Sequence, residues 1–333
     1  MAASTAALVK VRGLRKHFHQ KGGFAQPAAT IRAVEDISFD VMAGETLGVV
    51  GESGCGKSTA ARLMLKLVQP DAGEITFGGH AIGSKALPMR QFRRQAQMVF
   101  QDSHSSLNPR LTIEDSVAFA PIVHGVSRSE ARQKARRVLS DVGLAADRFA
   151  DRYPHELSGG QRQRVNIARA LVIDPRLVVF DEAVSALDKS IEAQVLALIQ
   201  ELKTRLGLTY VFISHDLNVV QHVSDRVMIM YLGKVVEIGD VRDIYRTPRH
   251  PYTKALLASR PSMDPERRTE AVPLAGDPPN PINPPSGCRF RTRCPLAMEV
   301  CSRVEPSLSP LIGGTGHQVA CHAVPDRILD GAL

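Results

Sequence analysis

Tryptophan is absent from the 333 residues, and tyrosine and phenylalanine number only 5 and 11. Stacking the bases of single-stranded nucleic acid needs aromatic platforms, and so thin a supply does not support one. Long apolar runs are missing as well: no stretch reaches the roughly eighteen consecutive apolar residues of a membrane-spanning helix. The opening, Met-Ala-Ala-Ser-Thr-Ala-Ala-Leu-Val-Lys, lacks the positive segment and the apolar stretch of a secretory signal. Any passage through a bilayer would therefore be formed by other chains. Cysteine is scarce, with four of the 5 at position 288 or later, so no disulfide framework runs through the chain.

What is present is ordinary for a globular protein with an ample core, 44% hydrophobic and 23% charged. The length allows one large domain with an appendage, or two modest domains. The net charge of +8, from 42 Lys+Arg against 34 Asp+Glu, fits a nucleic-acid binder or a protein held beneath an anionic leaflet. With aromatics so few, a basic surface without a nucleic-acid role is the preferred interpretation.

Leu8 to Phe39 alternates short apolar runs with polar turns, as an antiparallel subdomain does. Thr46–Val50 reads as a buried strand, followed by a glycine-rich loop and a helix from Ser58 to Leu67 that Pro70 and Gly73 stop. Between about 103 and 157 the pattern turns helical. Ser127 with Glu130 forms a capping box, and Ala131, Ala135, Val138, Leu139 and Val142 recur at helical spacing. A helix from Gly160 to about Val172, a strand Leu177–Phe180, a helix closing near Gly207 and a strand Thr209–Ile213 follow. This alternation predicts a largely parallel sheet with ligands at its carboxyl edge, and a hairpin near 227–238 completes the domain. From Arg260 the composition shifts, with eight of the 21 prolines between 259 and 287, as in an extended linker.

Residues 51–58 read Gly-Glu-Ser-Gly-Cys-Gly-Lys-Ser. This is a phosphate-binding loop in its strand–loop–helix setting: Gly51 and Gly56 permit tight turns that aim backbone N–H groups at phosphates. Lys57 adds a point charge and Ser58 a hydroxyl for Mg²⁺. On its own such a loop says only that a nucleotide binds. Leu157-Ser158-Gly159-Gly160-Gln161 before a helix, then a strand ending in Asp181-Glu182 and another ending in Ser214-His215, narrow the field. Singly, an Asp-Glu pair is ordinary surface charge and a histidine after a strand is ordinarily structural. In this order and spacing the set resembles the ABC-type ATPases.

The resemblance implies an α/β fold: a RecA-like phosphate-loop core, an antiparallel β-subdomain and a helical subdomain at about 103–157. It implies that ATP is held by Gly51, Glu52, Ser53, Gly54, Cys55, Gly56, Lys57, Ser58 and Thr59. Mg²⁺ would be held by Ser58, by Asp181 and by Gln101, the last resembling a Q-loop glutamine. Glu182 would act as general base on the attacking water, with His215 orienting that water against the γ-phosphate. Phe18, with Phe24 as rival, matches the position where a ring stacks on adenine; a ring packed inside the β-subdomain is the plainer alternative. In this family two ATPase domains pair head-to-tail. Ser158, Gly159, Gly160 and Gln161 of one then clamp the γ-phosphate on the other as an anion site at a helix N-terminus. Ser185-Ala186-Leu187-Asp188 matches the D-loop across that interface, although Asp188 also reads as a simple helix cap. Cys55 reads as a small packing residue inside the loop.

Three segments resemble the ATPases of dipeptide and oligopeptide importers: Ser106-Leu107-Asn108-Pro109-Arg110, His250-Pro251-Tyr252-Thr253 and the cysteine tail. That branch implies a heterodimer with a sister ATPase. It further implies two transmembrane permease subunits, an external substrate-binding protein, no nucleic acid, and a peripheral place on the cytoplasmic side of the inner (plasma) membrane. The permease's coupling helix would dock near Gln101 and residues 103–111. Import of nickel or another small solute by the same branch stays open, as, more distantly, does a non-transport ABC ATPase. Three positions depart from the pattern: Ala183 stands where Pro is usual, Lys189 where Val is common, and His104 where Tyr is more usual. None removes a catalytic group. The expected division is an ATPase domain over 1–258 and a Pro-rich linker with a Cys-rich extension over 259–333. Cys288, Cys294, Cys301 and Cys321, separated by five, six and nineteen residues, lie in a chain where disulfides are not expected. Four thiolates suit a [4Fe–4S] cluster or tetrahedral Zn²⁺, or stay unligated in a packed tail. The absence of tight Cys-x-x-Cys knuckles and the family resemblance favour the cluster. So small and proline-rich an extension is expected to bury little core of its own.

Overall fold

The computed structural model describes residues 6–20, 22, 29–102, 105–260, 280–313 and 316–327. In chain order the first elements are β1 (Ala7–Gln20), β2 (Ala29–Met42), β3 (Thr46–Val50), α1 (Lys57–Met64), β4 (Ala72–Phe77), β5 (His80–Ala81), α2 (Met89–Gln95) and β6 (Ala96–Val99). Then come α3 (Ile113–Val123), α4 (Arg128–Asp141), α5 (Ala146–Phe149), α6 (Gly159–Leu171), β7 (Leu177–Asp181), α7 (Lys189–Leu206) and β8 (Thr209–Ile213). The last are α8 (Leu217–Val223), β9 (Arg226–Tyr231), β10 (Lys234–Asp240), α9 (Val241–Arg246), α10 (Pro251–Ala258), α11 (Val300–Arg303), β11 (Ser309–Pro310) and β12 (Gln318–Val319). The chain forms two compact units. One holds Thr76–Ser214 with two short earlier stretches (6–9 and 41–46), and the other holds Lys10–Asp40, Leu47–Ile75 and the described residues from His215 onward.

In the first unit β6, β7 and β8 run parallel, with Val99 opposite Phe180 and Asp181 opposite Ile213. Every residue of β7 and β8 is buried. That explains why both read as unbroken apolar runs rather than as alternation. Phe180 meets Tyr210 edge-to-face at 5.0 Å. Helices α3, α4 and α6 pack on one another through Val117 and Ala118, Ala131, Ala135 and Leu139, and Val165 and Ala168, all buried. Each large side chain so buried contributes about 2 kcal/mol. Thr112 caps α3 and Ser127 caps α4, accepting from the N–H groups of Asp115 and Glu130 at 3.2 and 3.3 Å. The box expected at Ser127 is thus half-formed, with the serine's bond made and no return bond from Glu130 among the caps of α4.

In the second unit β2, β1 and β4 lie side by side in that order, as the early alternation predicts. Strand β3 runs parallel to β9, and β9 turns into β10 through Leu232-Gly233. Both turn residues have positive φ, 44° and 80°. This matches the two-residue turn whose twist suits a hairpin. Helix α1 stops at Met64, a turn before the predicted Leu67. The stop is made by Lys66, in the left-handed region at φ 53°. Lys66 N–H donates to Leu63 O, and Leu67 N–H to Arg62 O, at 2.9 Å each, the double bond of a Schellman ending.

The C-terminal segment is built into this unit. Strand β12 pairs antiparallel with β10, and β11 with β12. Leu311, Val319, Cys321 and Val324 form a small core of their own, more than the expectation for the tail allowed. Beneath the pairing lies Glu237, fully buried. Its carboxylate accepts from the N–H groups of Arg249 (2.7 Å) and His250 (3.0 Å) and from His317 Nε2 (2.7 Å). The proline-rich stretch lies largely outside the described residues, as do Phe24 and His104.

Candidate nucleotide site

The second unit carries the phosphate loop. Strand β3 delivers the chain to Gly51, whose positive φ of 156° brings it against Met230 O; an added Cβ would stand 2.2 Å from that oxygen. Gly56, at φ 105° just before α1, leaves only 2.2 Å between a Cβ and Ala33 O. Side chains at either position would force backbone apart, so here glycine is a packing requirement. Gly233 N–H donates to Cys55 O and Glu35 N–H to Gly233 O, at 2.8 and 2.9 Å, which pins the loop to the β9–β10 turn. Lys57 is buried, its ammonium donating to Gly51 O (2.7 Å) and Glu52 O (3.0 Å). Ser53 and Gly54 are exposed, while Ser58 and Thr59 are half-buried on the first turn of α1. Cys55 is buried as expected, and burial pushes its thiol up despite the opposing charge of Lys57. His215 is exposed, next to Asp216, whose carboxylate caps α8 by accepting from Asn218 N–H at 2.9 Å. The Phe18 ring is 40% exposed with the Lys16 ammonium 5.6 Å from its centre, so it does not pack inside the sheet.

The first unit carries the acids. Asp181, the last residue of β7, is 4% exposed. Glu182 follows at φ 49°, a left-handed conformation uncommon away from glycine. Its N–H donates to Ile213 O at 3.0 Å, and its carbonyl accepts from Ser185 Oγ at 2.9 Å. Gln101 Nε2 donates to the Glu182 carboxylate at 3.0 Å, which brings these two candidate residues together. Ser158 caps α6 in a full box: Ser158 Oγ accepts from Gln161 N–H at 3.3 Å, and Gln161 Oε1 accepts from Ser158 N–H at 3.0 Å. Gly160 is needed for close packing of α7, since a Cβ there would lie 2.4 Å from an Ile191 methyl. Asp188 stands at the N-cap of α7 but makes no side-chain cap bond, which corrects the plain cap interpretation. Lys189 pairs with Glu192 at 3.1 Å, and Ala183 is buried.

The description of the ABC transporter family matches residues 34–185, and that of the oligopeptide/dipeptide transporter C-terminal region matches 236–301. The oligopeptide transport ATP-binding protein OppF of Salmonella typhimurium is 47% identical over 322 residues, covering 94% of this chain and 95% of that protein. The chain belongs to the ABC transporter ATPases. Two solved structures bear out the fold of this ABC ATPase. CbiO1 from Clostridium perfringens, part of the ABC transporter complex CbiONQ, aligns with a TM-score of 0.61 at 25% identity over 72% of this chain and 91% of that one. A dimeric ATP-binding cassette in a post-hydrolysis state with ADP and Pi aligns at 0.60 with 29% identity, over 70% of this chain and 99% of that one.

ATP and Mg²⁺ are the ligands of an ABC ATPase. The iron–sulfur expectation finds no counterpart in these comparisons. Among the described residues, no group of three or more His, Cys, Asp or Glu is arranged to hold a metal ion. All four tail cysteines are free thiols. Cys288 N–H donates to Cys301 O at 2.8 Å. Burial first, and then the other three thiols, push Cys288 up to about 11. No described helix is long and apolar enough to cross a membrane.

Sequence reasoning missed one group around the loop. Tyr252 Oη accepts from Glu52 N–H at 2.9 Å, and Arg293 grips the Glu52 carboxylate with both terminal nitrogens, at 2.9 and 3.1 Å. The Glu52 hydrogen bond strengthens the hold of Arg293 on its proton. The available signal was an acid in an anion-binding loop: a carboxylate there demands a cation, and Arg289, Arg291 and Arg293 were the uncommitted basic cluster of the tail.

Proposed function

We propose that this ABC ATPase drives uptake of di- or oligopeptides as the peripheral ATP-hydrolysing subunit of an importer. The observation that carries the substrate class is the match of residues 236–301 to the oligopeptide/dipeptide transporter C-terminal region, joined to the OppF likeness along both core and tail. The proposed partners are a sister ATPase, two membrane permeases and, through them, an external binding protein, with this subunit on the cytoplasmic face of the inner membrane. The permease's coupling helix would meet the surface near Gln101 and residues 103–111. The proposed division between ATPase domain and extension lies at 258/259.

The proposed roles follow from what each group can do. Loop amides of 51–56 and Lys57 bind the β- and γ-phosphates; Lys57 has only to turn its ammonium from the carbonyls of Gly51 and Glu52. Ser58, Asp181 and Gln101 would hold Mg²⁺, which when bound neutralises phosphate oxygens. Glu182 accepts the proton of the attacking water. In support of this, its carboxylate is partly exposed and accepts a hydrogen bond from the Gln101 amide. His215 orients that water and hydrogen-bonds the γ-phosphate, and Phe18 offers an exposed ring for adenine. Ser158, Gly159, Gly160 and Gln161 serve the nucleotide on the sister subunit, with Asp188 at that boundary.

The tail thiols, in this reading, hold a [4Fe–4S] cluster. Support comes from their chemistry: four free thiols in one short stretch of chain, the type and number of ligand such a cluster takes.

The decisive experiment purifies the assembled complex into sealed vesicles and measures MgATP-driven uptake of a labelled dipeptide or oligopeptide. Uptake is expected, and Glu182→Gln is expected to lower it at least about a hundredfold while keeping ATP bound. Uptake of nickel with no peptide uptake would overturn the substrate class, and unchanged turnover in the variant would remove Glu182 as base.

A further inference from the structure

The tail segment Cys288-Arg289-Phe290-Arg291-Thr292-Arg293-Cys294 is wired to the phosphate loop within the second unit. Phe290 is 2% exposed and packs among aromatic rings, its centre 5.3 Å from Tyr231, 5.5 Å from Tyr252 and 5.7 Å from His250. Arg289 ion-pairs with Glu35 at 3.5 Å and donates to Leu232 O, at the turn that also pins Cys55. Arg293, with its side chain 5% exposed, forks onto Glu52 and reaches Tyr231 Oη at 3.4 Å. Glu52 is therefore held three ways: by Tyr252 at its N–H, by Lys57 at its carbonyl and by Arg293 at its carboxylate.

An acid at the second position of a loop that must receive a triphosphate repels its own ligand. At a half-buried site that repulsion is only partly screened by water. A paired guanidinium cancels the charge, and its planar fork fixes the carboxylate's orientation as well as its position. Because Lys57 rests on the carbonyls of Gly51 and Glu52, holding Glu52 also holds the resting place of the loop's lysine.

We propose that Arg293, supplied by the C-terminal segment, is a positioning residue of the nucleotide site that neutralises Glu52 and thereby sets the affinity of the loop for MgATP. The inference rests on residues 51–59 being the ATP site. Linkage makes the effect reciprocal: MgATP protects the segment around 288–294 as firmly as that segment supports ATP.

The test is equilibrium binding of a fluorescent ATP analogue with Mg²⁺ to the full chain, with thermal melts alongside. Arg293→Gln is expected to weaken binding about tenfold, and Arg293→Lys, which keeps the charge, to stay within about threefold. The double variant Glu52→Gln/Arg293→Gln is expected to recover most of the loss, because no unpaired acid remains; a purely structural arginine would leave it as weak as the single variant. Unchanged affinity in Arg293→Gln, or no recovery in the double variant, overturns the proposal. Should Arg293→Gln fail to fold, Glu52→Gln alone decides: roughly fivefold tighter binding supports it, and equal or weaker binding overturns it. Lys57→Ala is the control on the site itself. Wild-type affinity there would topple the ATP-site assignment, whereas lost binding there with normal binding in Arg293→Gln would topple only the role of Arg293.

Discussion

His250 shows how one side chain can be read from its neighbours. Its Nδ1 accepts from Tyr252 N–H at 3.0 Å, so the ring is neutral, and complete burial pushes it down to about 4 against a partial counter-pull from Glu237. A base with a depressed folded value stabilises the fold fully above the unfolded value near 6.5, and that contribution is lost as pH falls through 6.5 towards 4. The difference amounts to roughly 3 kcal/mol. Wild-type protein is therefore expected to lose thermal stability steeply between pH 6.5 and 4. His250→Asn, which can still cap through its side-chain oxygen, should show a slope flatter by that amount in melts across the range. Parallel slopes would show that His250 does not set the acid limit. The residue appears in the sequence as part of His-Pro-Tyr-Thr, but nothing local reveals that Glu237 and Phe290 close over it.

At the scale of elements, what was legible followed the strength of the periodic signal. Strands β7 and β8 were plain because both faces are buried, and α7 because its apolar positions repeat up to Gly207, left-handed at φ 64°. The end of α1 was not, since the chain breaks there with a lysine in a conformation usually given to glycine. The glycine loop, the signature run and the two strand-end motifs were all visible as spaced residue types. The Gln101–Glu182 bond, by contrast, joins residues 81 positions apart, and β11 and β12 are two residues each, too short for any pattern. Helix α6 carries a prediction of its own. Its Ser158–Gln161 box satisfies two N–H groups at the helix start, so Ser158→Arg should cost only about 1 kcal/mol of stability and leave binding of ATP to this chain's own loop unchanged. ATP-driven closure with the sister subunit, followed by size-exclusion or cross-linking in the Glu182→Gln background, should be lost. Normal closure would speak against head-to-tail pairing.

For the whole molecule, the groups proposed for hydrolysis are shared out between the two units, Lys57 and His215 in one, Gln101, Asp181, Glu182 and Ser158 in the other. The four free thiols in the tail add a further test: protein purified without oxygen is expected to be brown, with about four irons per chain, and to melt at lower temperature once iron is stripped. A colourless, iron-free protein with the same melt would discard the cluster. The buried Glu237 has one more consequence. Its imidazole partner, His317, lies eighty positions further along the chain and must be synthesised before it can engage that acid. A product released before that point would leave the buried carboxylate with only the N–H groups of Arg249 and His250, a defect costing about 3 kcal/mol. Nonsense alleles that stop the chain just before His317 should thus yield insoluble, rapidly degraded fragments rather than a working but abbreviated enzyme.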